Sequence, residues 1–76
     1  MEDTIWQQLL ATFAHNLCYM DPAVIGMVVR AQHERTPMDS PLRVIERLVG
    51  RYCVRLKVPS SEQQDVMEAA MGGYSG

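Results

Sequence analysis

Apolar residues recur along the chain at steps of three and four, and prolines at Pro22, Pro37, Pro41 and Pro59 punctuate the pattern. This spacing keeps side chains on one side of a helix, and it predicts four helices over about residues 4–20, 22–35, 41–56 and 61–71. In the first, Trp6, Leu10, Phe13, Leu17 and Met20 form one stripe flanked by Ile5 and Leu9, with Gln8, Thr12, His15 and Tyr19 opposite. The second sets Val24, Ile25, Val28 and Val29 against Arg30, His33 and Glu34. Its β-branched content leaves a strand over 24–29 as the alternative, but the run does not alternate with polar residues and its Asp-Pro start favours a helix.

The third helix stacks Leu42, Ile45, Val49, Tyr52 and Leu56, with Leu48 beside them. Its end, residues 51–58, also alternates at period two as a half-buried strand would. The unbroken stripe from Leu42 favours the helix, and Gly50 within it costs only about 1 kcal/mol. The fourth carries Val66, Met67, Ala70 and Met71, and Gly72-Gly73 is expected to stop it, leaving 72–76 as a frayed tail.

Local signals place the helix starts. Asp21-Pro22 and Ser40-Pro41 each offer a capping side chain followed by a proline at the first helical position, where its missing N–H costs nothing. Thr4 with Gln7, and Ser60 with Gln63, have the spacing of a capping box. The expected fold class is therefore all-α, a small bundle in one domain over residues 1–76, with the first three helices building the core and the fourth packing on it or reaching to a neighbour.

Length limits what this core supplies. A chain of 76 residues buries only about 60% of the surface it exposes when unfolded, so completion by a partner or a second copy is expected. Disulfides do not fill the gap: Cys18 and Cys53 allow one bridge at most and form no closely spaced metal-ligand pair. The acidic start Met1-Glu2-Asp3-Thr4 and the short apolar runs read as neither signal peptide nor membrane span, so a cytoplasmic location with reduced thiols is expected.

Charge changes the picture most. The net charge of −2 argues against a general polyanion binder, but it is unevenly spread: residues 1–20 carry −2, 21–40 carry −1, 41–58 carry +4 and 59–76 carry −3. Arg43, Arg47, Arg51 and Arg55 recur every fourth residue, forming a band opposite the Leu42/Val49/Leu56 stripe. A solvated helix face accounts for charge there. It does not account for four like charges with only Glu46 to offset them, since like charges four apart repel by a few tenths of a kcal/mol. An anionic counterpart fits the excess: an acidic protein surface, a nucleic acid, or Glu62, Asp65 and Glu68 of the fourth helix, within one chain or across a dimer.

Other residues add candidates. Met20, Met27 and Met67 read as core filling, while Met38 in the proline-bounded loop is expected on the surface as a contact residue. Trp6 is a core anchor or the edge of a partner groove. His15, Cys18, His33 and Cys53 are too scattered to predict a metal site, no nucleophile, base and orienting group arrive together, and no cofactor is expected.

Met38-Asp39-Ser40, the amphipathic helix after it and Arg55-Leu56-Lys57-Val58-Pro59 resemble, over about 22 residues, the segment of acyl and peptidyl carrier proteins in which an Asp-Ser pair opens the second helix. That resemblance implies Ser40 as a phosphopantetheine attachment site. The match departs at Pro41, where the family has an aliphatic residue, at Pro37, where it has glycine, and in the basic character of the helix.

The functional expectation is a small non-enzymatic adaptor, inhibitor or regulatory subunit whose partners are another protein and a second copy, with contacts through Arg43, Arg47, Arg51, Arg55, Met38 and Trp6. The alternative is a helix-turn-helix-like transcriptional regulator laying the same arginines on DNA. The carrier-like reading is the remote one.

Overall fold

The computed structural model describes residues 2–16 and 20–76, which form α1 (Glu2–Asn16), α2 (Ala23–Arg35), α3 (Pro41–Leu56) and α4 (Ser60–Ser75). No strand occurs among the described residues; of the two stretches with a strand alternative, 24–29 is helical and 51–58 is helical through Leu56, with Lys57 and Val58 in the turn that follows. Leu17, Cys18 and Tyr19, at the expected end of the first helix, lie outside the described residues. Met20 is buried but not helical.

Local chemistry sets the helix ends, in part differently from expectation. α2 begins at Ala23 with Pro22 in the cap position, one residue later than expected, and the Asp21 carboxylate just before it accepts the Ala23 N–H at 3.0 Å. Ser40 occupies the cap position of α3 with Pro41 after it, yet its hydroxyl makes no capping bond. Its ψ of 76° falls short of the extended backbone that aims a side chain at the following amides, and its carbonyl accepts the Arg43 and Val44 N–H groups instead. Neither capping box forms. α1 begins at Glu2, which puts Thr4 inside the helix, and Gln63 turns back to donate to the Val58 carbonyl at 3.2 Å.

α3 ends in a Schellman turn. Lys57 adopts the left-handed conformation at φ 54°, its N–H donating to Val54 O, while the Val58 N–H donates to Cys53 O at 2.9 Å. Pro59 then forbids continuation.

The core comprises Ile5, Leu9 and Phe13 of α1, Met20, Ile25 and Val29 from the second segment, Ile45, Leu48, Val49, Tyr52 and Cys53 of α3, and Val66 and Ala70 of α4. Several expected positions shift. The α1 stripe centres on Ile5, Leu9 and Phe13, with Trp6 and Leu10 half-buried at its edge. Leu42 and Met27 are half-exposed at 51% and 57%, whereas Met38 folds back against the core because its N–H donates to His33 Nδ1 at 3.0 Å. Tyr52 seals the centre: its ring lies 5.9 Å from Phe13 and its hydroxyl donates to the buried Met20 carbonyl at 2.7 Å.

The main correction concerns α4, which continues through Gly72-Gly73 to Ser75 and packs closely along α2. The glycines make this contact possible. A Cβ on Gly26 would meet the Ala70 carbonyl and the Tyr74 amide, and one on Gly73 would strike the Ala23 carbonyl, so the two helices touch backbone to backbone. Gly73 is thus a packing residue rather than a stop signal. Arg30 of α2 completes the junction by donating to the Tyr74 and Ser75 carbonyls at 3.1 Å each, which satisfies acceptors left open at the α4 C-terminus and places a cation at its negative end.

Candidate functional site

α3 buries Ile45, Leu48, Val49, Tyr52 and Cys53, so its outward side is fixed as the one bearing Arg43, Arg47, Arg51 and Arg55, all exposed. The band is therefore a physical surface of the protein. It joins α1 through Arg51, whose guanidinium stands 5.7 Å over the Trp6 ring and 3.6 Å from the Asp3 carboxylate. Trp6 in turn meets Phe13 edge-on at 6.4 Å. One side of the indole is thereby held to the core while the other borders the arginines.

Between α1 and α3 an open depression is lined by Trp6, Arg47, Gly50, Arg51, Val54 and Arg55. Val54 is 80% exposed, the most accessible large apolar side chain among the described residues, and Gly50, one turn before it, has open space where a side chain would stand. Arg47 also borders a second depression with Pro37, Met38, Asp39, Ser40, Arg43 and Val44. The structure thus brings all six contact candidates onto one continuous surface, with Met38 as a half-buried wall rather than a protruding contact. Gly50 and Val54 were not predicted as part of it. Their signal lies in the sequence as an i, i+4 pair on the arginine side, hidden by the period-two pattern of 51–58.

The acidic residues of α4 stay apart from this surface. Glu62, Asp65 and Glu68 are exposed, and among the described residues no ion pair joins them to the band. Glu62 and Asp65 border a different depression, with Pro22, Tyr52, Leu56, Val58 and Val66.

Burial pushes the Cys53 thiol above its ordinary range, His33 is engaged with the loop amide of Met38, and among the described residues no three His, Cys, Asp or Glu side chains converge to hold a metal ion. The side chain of His15 and the whole of Cys18 lie outside the described residues. Ser40 is exposed in the loop before α3. No described helix is long and apolar enough to cross a membrane. Comparison with protein-family models, curated proteins and solved structures found no match.

Proposed function

We propose that this chain is a non-enzymatic protein-binding module, an adaptor, inhibitor or regulatory subunit, that docks an acidic partner protein on the outer face of α3. The observation that carries this reading is the depression in which exposed Val54 and the edge of Trp6 lie among Arg47, Arg51 and Arg55. Tryptophan and arginine around a small apolar centre are the residues that dominate protein interfaces. The rim cations supply long-range attraction and orientation.

A duplex nucleic acid would engage chiefly the cations, because phosphates carry most of its affinity, and would leave exposed Val54 uncovered. The apolar centre therefore favours protein. A second copy is disfavoured on this face, since a two-fold axis through α3 would set each arginine band against its equivalent. Self-association, which the small core made attractive, would have to use another surface.

The test is quantitative co-purification from the cells of origin with the wild-type chain and an Arg47→Glu/Arg55→Glu variant. Arg51 is left intact because it supports Trp6. The expected outcome is a discrete protein partner lost from the variant while circular dichroism shows unchanged helix. An identical partner set from both chains overturns the proposal.

A further inference from the structure

Two of the four glycines inside helices have an account in the packing of the fold. Gly26 and Gly73 let α2 and α4 touch, whereas a Cβ on Gly72 meets nothing within 4 Å but that residue lies in the last turn of α4, where helices fray and a glycine costs little. Gly50 has none. It sits in the middle of a sixteen-residue helix with no positive φ, is exposed, and a Cβ built on it meets nothing within 4 Å. At such a site alanine is the better helix former, and the free protein has room for it.

From this we infer that Gly50 is the crossing point for a helix of the acidic partner, whose backbone comes against the α3 backbone there as α4 comes against α2 at Gly26 and Gly73. This inference rests on the docking face proposed above and adds what occupies it: an amphipathic helix with a small-residue seam at the crossing and carboxylates along its flanks.

The surroundings match that occupant. Gly50 borders the α1/α3 depression with Trp6 and Val54, and it also borders a shallower one toward α4 with Glu46, Val49, Cys53, Gln63, Gln64 and Met67. It is thus the low point of the α3 ridge between two troughs. A crossing helix packs its side chains into grooves beside a ridge, and the distance between axes is set by the side chains at the contact. Val54, one turn on, supplies the apolar contact, and Arg47, Arg51 and Arg55 stand where flanking carboxylates of a crossing helix would reach them. Laying an amphipathic helix on a groove is a common mode of peptide recognition.

The variant Gly50→Ala separates this role from a structural one, because its two effects have opposite signs. Replacing a mid-helix glycine raises the melting temperature by about 4–8 °C. The added methyl holds a partner helix away, and binding weakens about tenfold or more.

The probe is a fluorescein-labelled synthetic helix of about five turns, alanine and leucine on one face with flanking glutamates, accompanied by the same peptide with lysine for glutamate and by a duplex DNA. Anisotropy titrations are run on the wild type, Gly50→Ala and Arg47→Glu/Arg55→Glu. The inference predicts that the acidic helix alone binds the wild type and that both variants lose it, Gly50→Ala while melting higher. If Gly50→Ala binds the acidic helix as well as the wild type does and only the charge reversal loses it, the crossing at Gly50 is wrong and the docking face stands. If the acidic helix fails to bind the wild type, or the duplex binds in its place, the inference is overturned. A wild-type dimer in sedimentation that Gly50→Ala dissociates would make the occupant a second copy, and would overturn it equally.

Discussion

Substituting Gly26 by alanine tests the contact that organises the fold. The methyl would lie 3.0 Å from the Ala70 carbonyl carbon and nearer still to its oxygen and to the Tyr74 amide. Carbon atoms in contact prefer about 3.5–4.0 Å, and the oxygen and amide are closer than the carbon, so α2 and α4 must separate by more than about 1 Å or tilt. The atoms struck belong to a backbone, and no rotamer change relieves them. Overpacking of this kind costs about 1–3 kcal/mol or slightly more, and the upper end applies here. Alanine returns about 1 kcal/mol of helix propensity, leaving a net loss of about 2 kcal/mol. For a chain of this size that is a fall in melting temperature of roughly 8–16 °C, followed by circular dichroism at 222 nm. Gly73→Ala, directed at the Ala23 carbonyl, should behave alike. The double variant should lose less than the sum, because one separation relieves both clashes. A Gly26→Ala protein as stable as the wild type would refute backbone contact between α2 and α4.

Other consequences are open to measurement. Lys57→Gly, at the left-handed end of α3, removes a conformational penalty and should stabilise by about 0.5–1 kcal/mol in urea unfolding. Tyr52→Phe leaves the buried Met20 carbonyl without its donor and should cost about 1–3 kcal/mol with an unchanged m-value. Burial raises the Cys53 thiol in the folded chain, so the unfolded chain ionises first; stability is unaffected at low pH and falls as pH rises through the ordinary thiol range. In a Cys18→Ser background that loss should vanish on Cys53→Ala, measured by stability curves at increasing pH, even though the substitution lowers stability at every pH.

The number of helices was legible because Asp21-Pro22, Ser40-Pro41 and Pro59 mark starts and stops by backbone chemistry that acts locally. What misled was information that only a neighbouring helix supplies. Gly72-Gly73 has the composition of a helix end, but neither residue needs the left-handed conformation that makes glycine a stop, and Gly73 serves contact with Ala23 instead. Spacing alone centres the α1 stripe on Trp6 and Leu10, because it does not say which side of a wide apolar face is covered; Ile5 and Leu9 are the covered side. Met27 and Met38 exchanged places for a similar reason, the loop around Met38 being drawn inward by a hydrogen bond to His33 that no periodicity contains. The arginine band was fully legible, since four residues at helical spacing fix their own face. Val54 and Gly50, which make that face more than a solvated one, emerge only when α1 and Trp6 are set beside it.

Docking of a protein on the α3 face is open to photocrosslinking from inside that face. A benzophenone amino acid placed at Val54, in the depression, is compared in the cells of origin with one at Glu62, exposed on α4 away from it. The account predicts a discrete protein adduct from position 54, absent from position 62, with the crosslinked stretch of the partner acidic. Adducts to nucleic acid at position 54, or the same adducts from both positions, would contradict it.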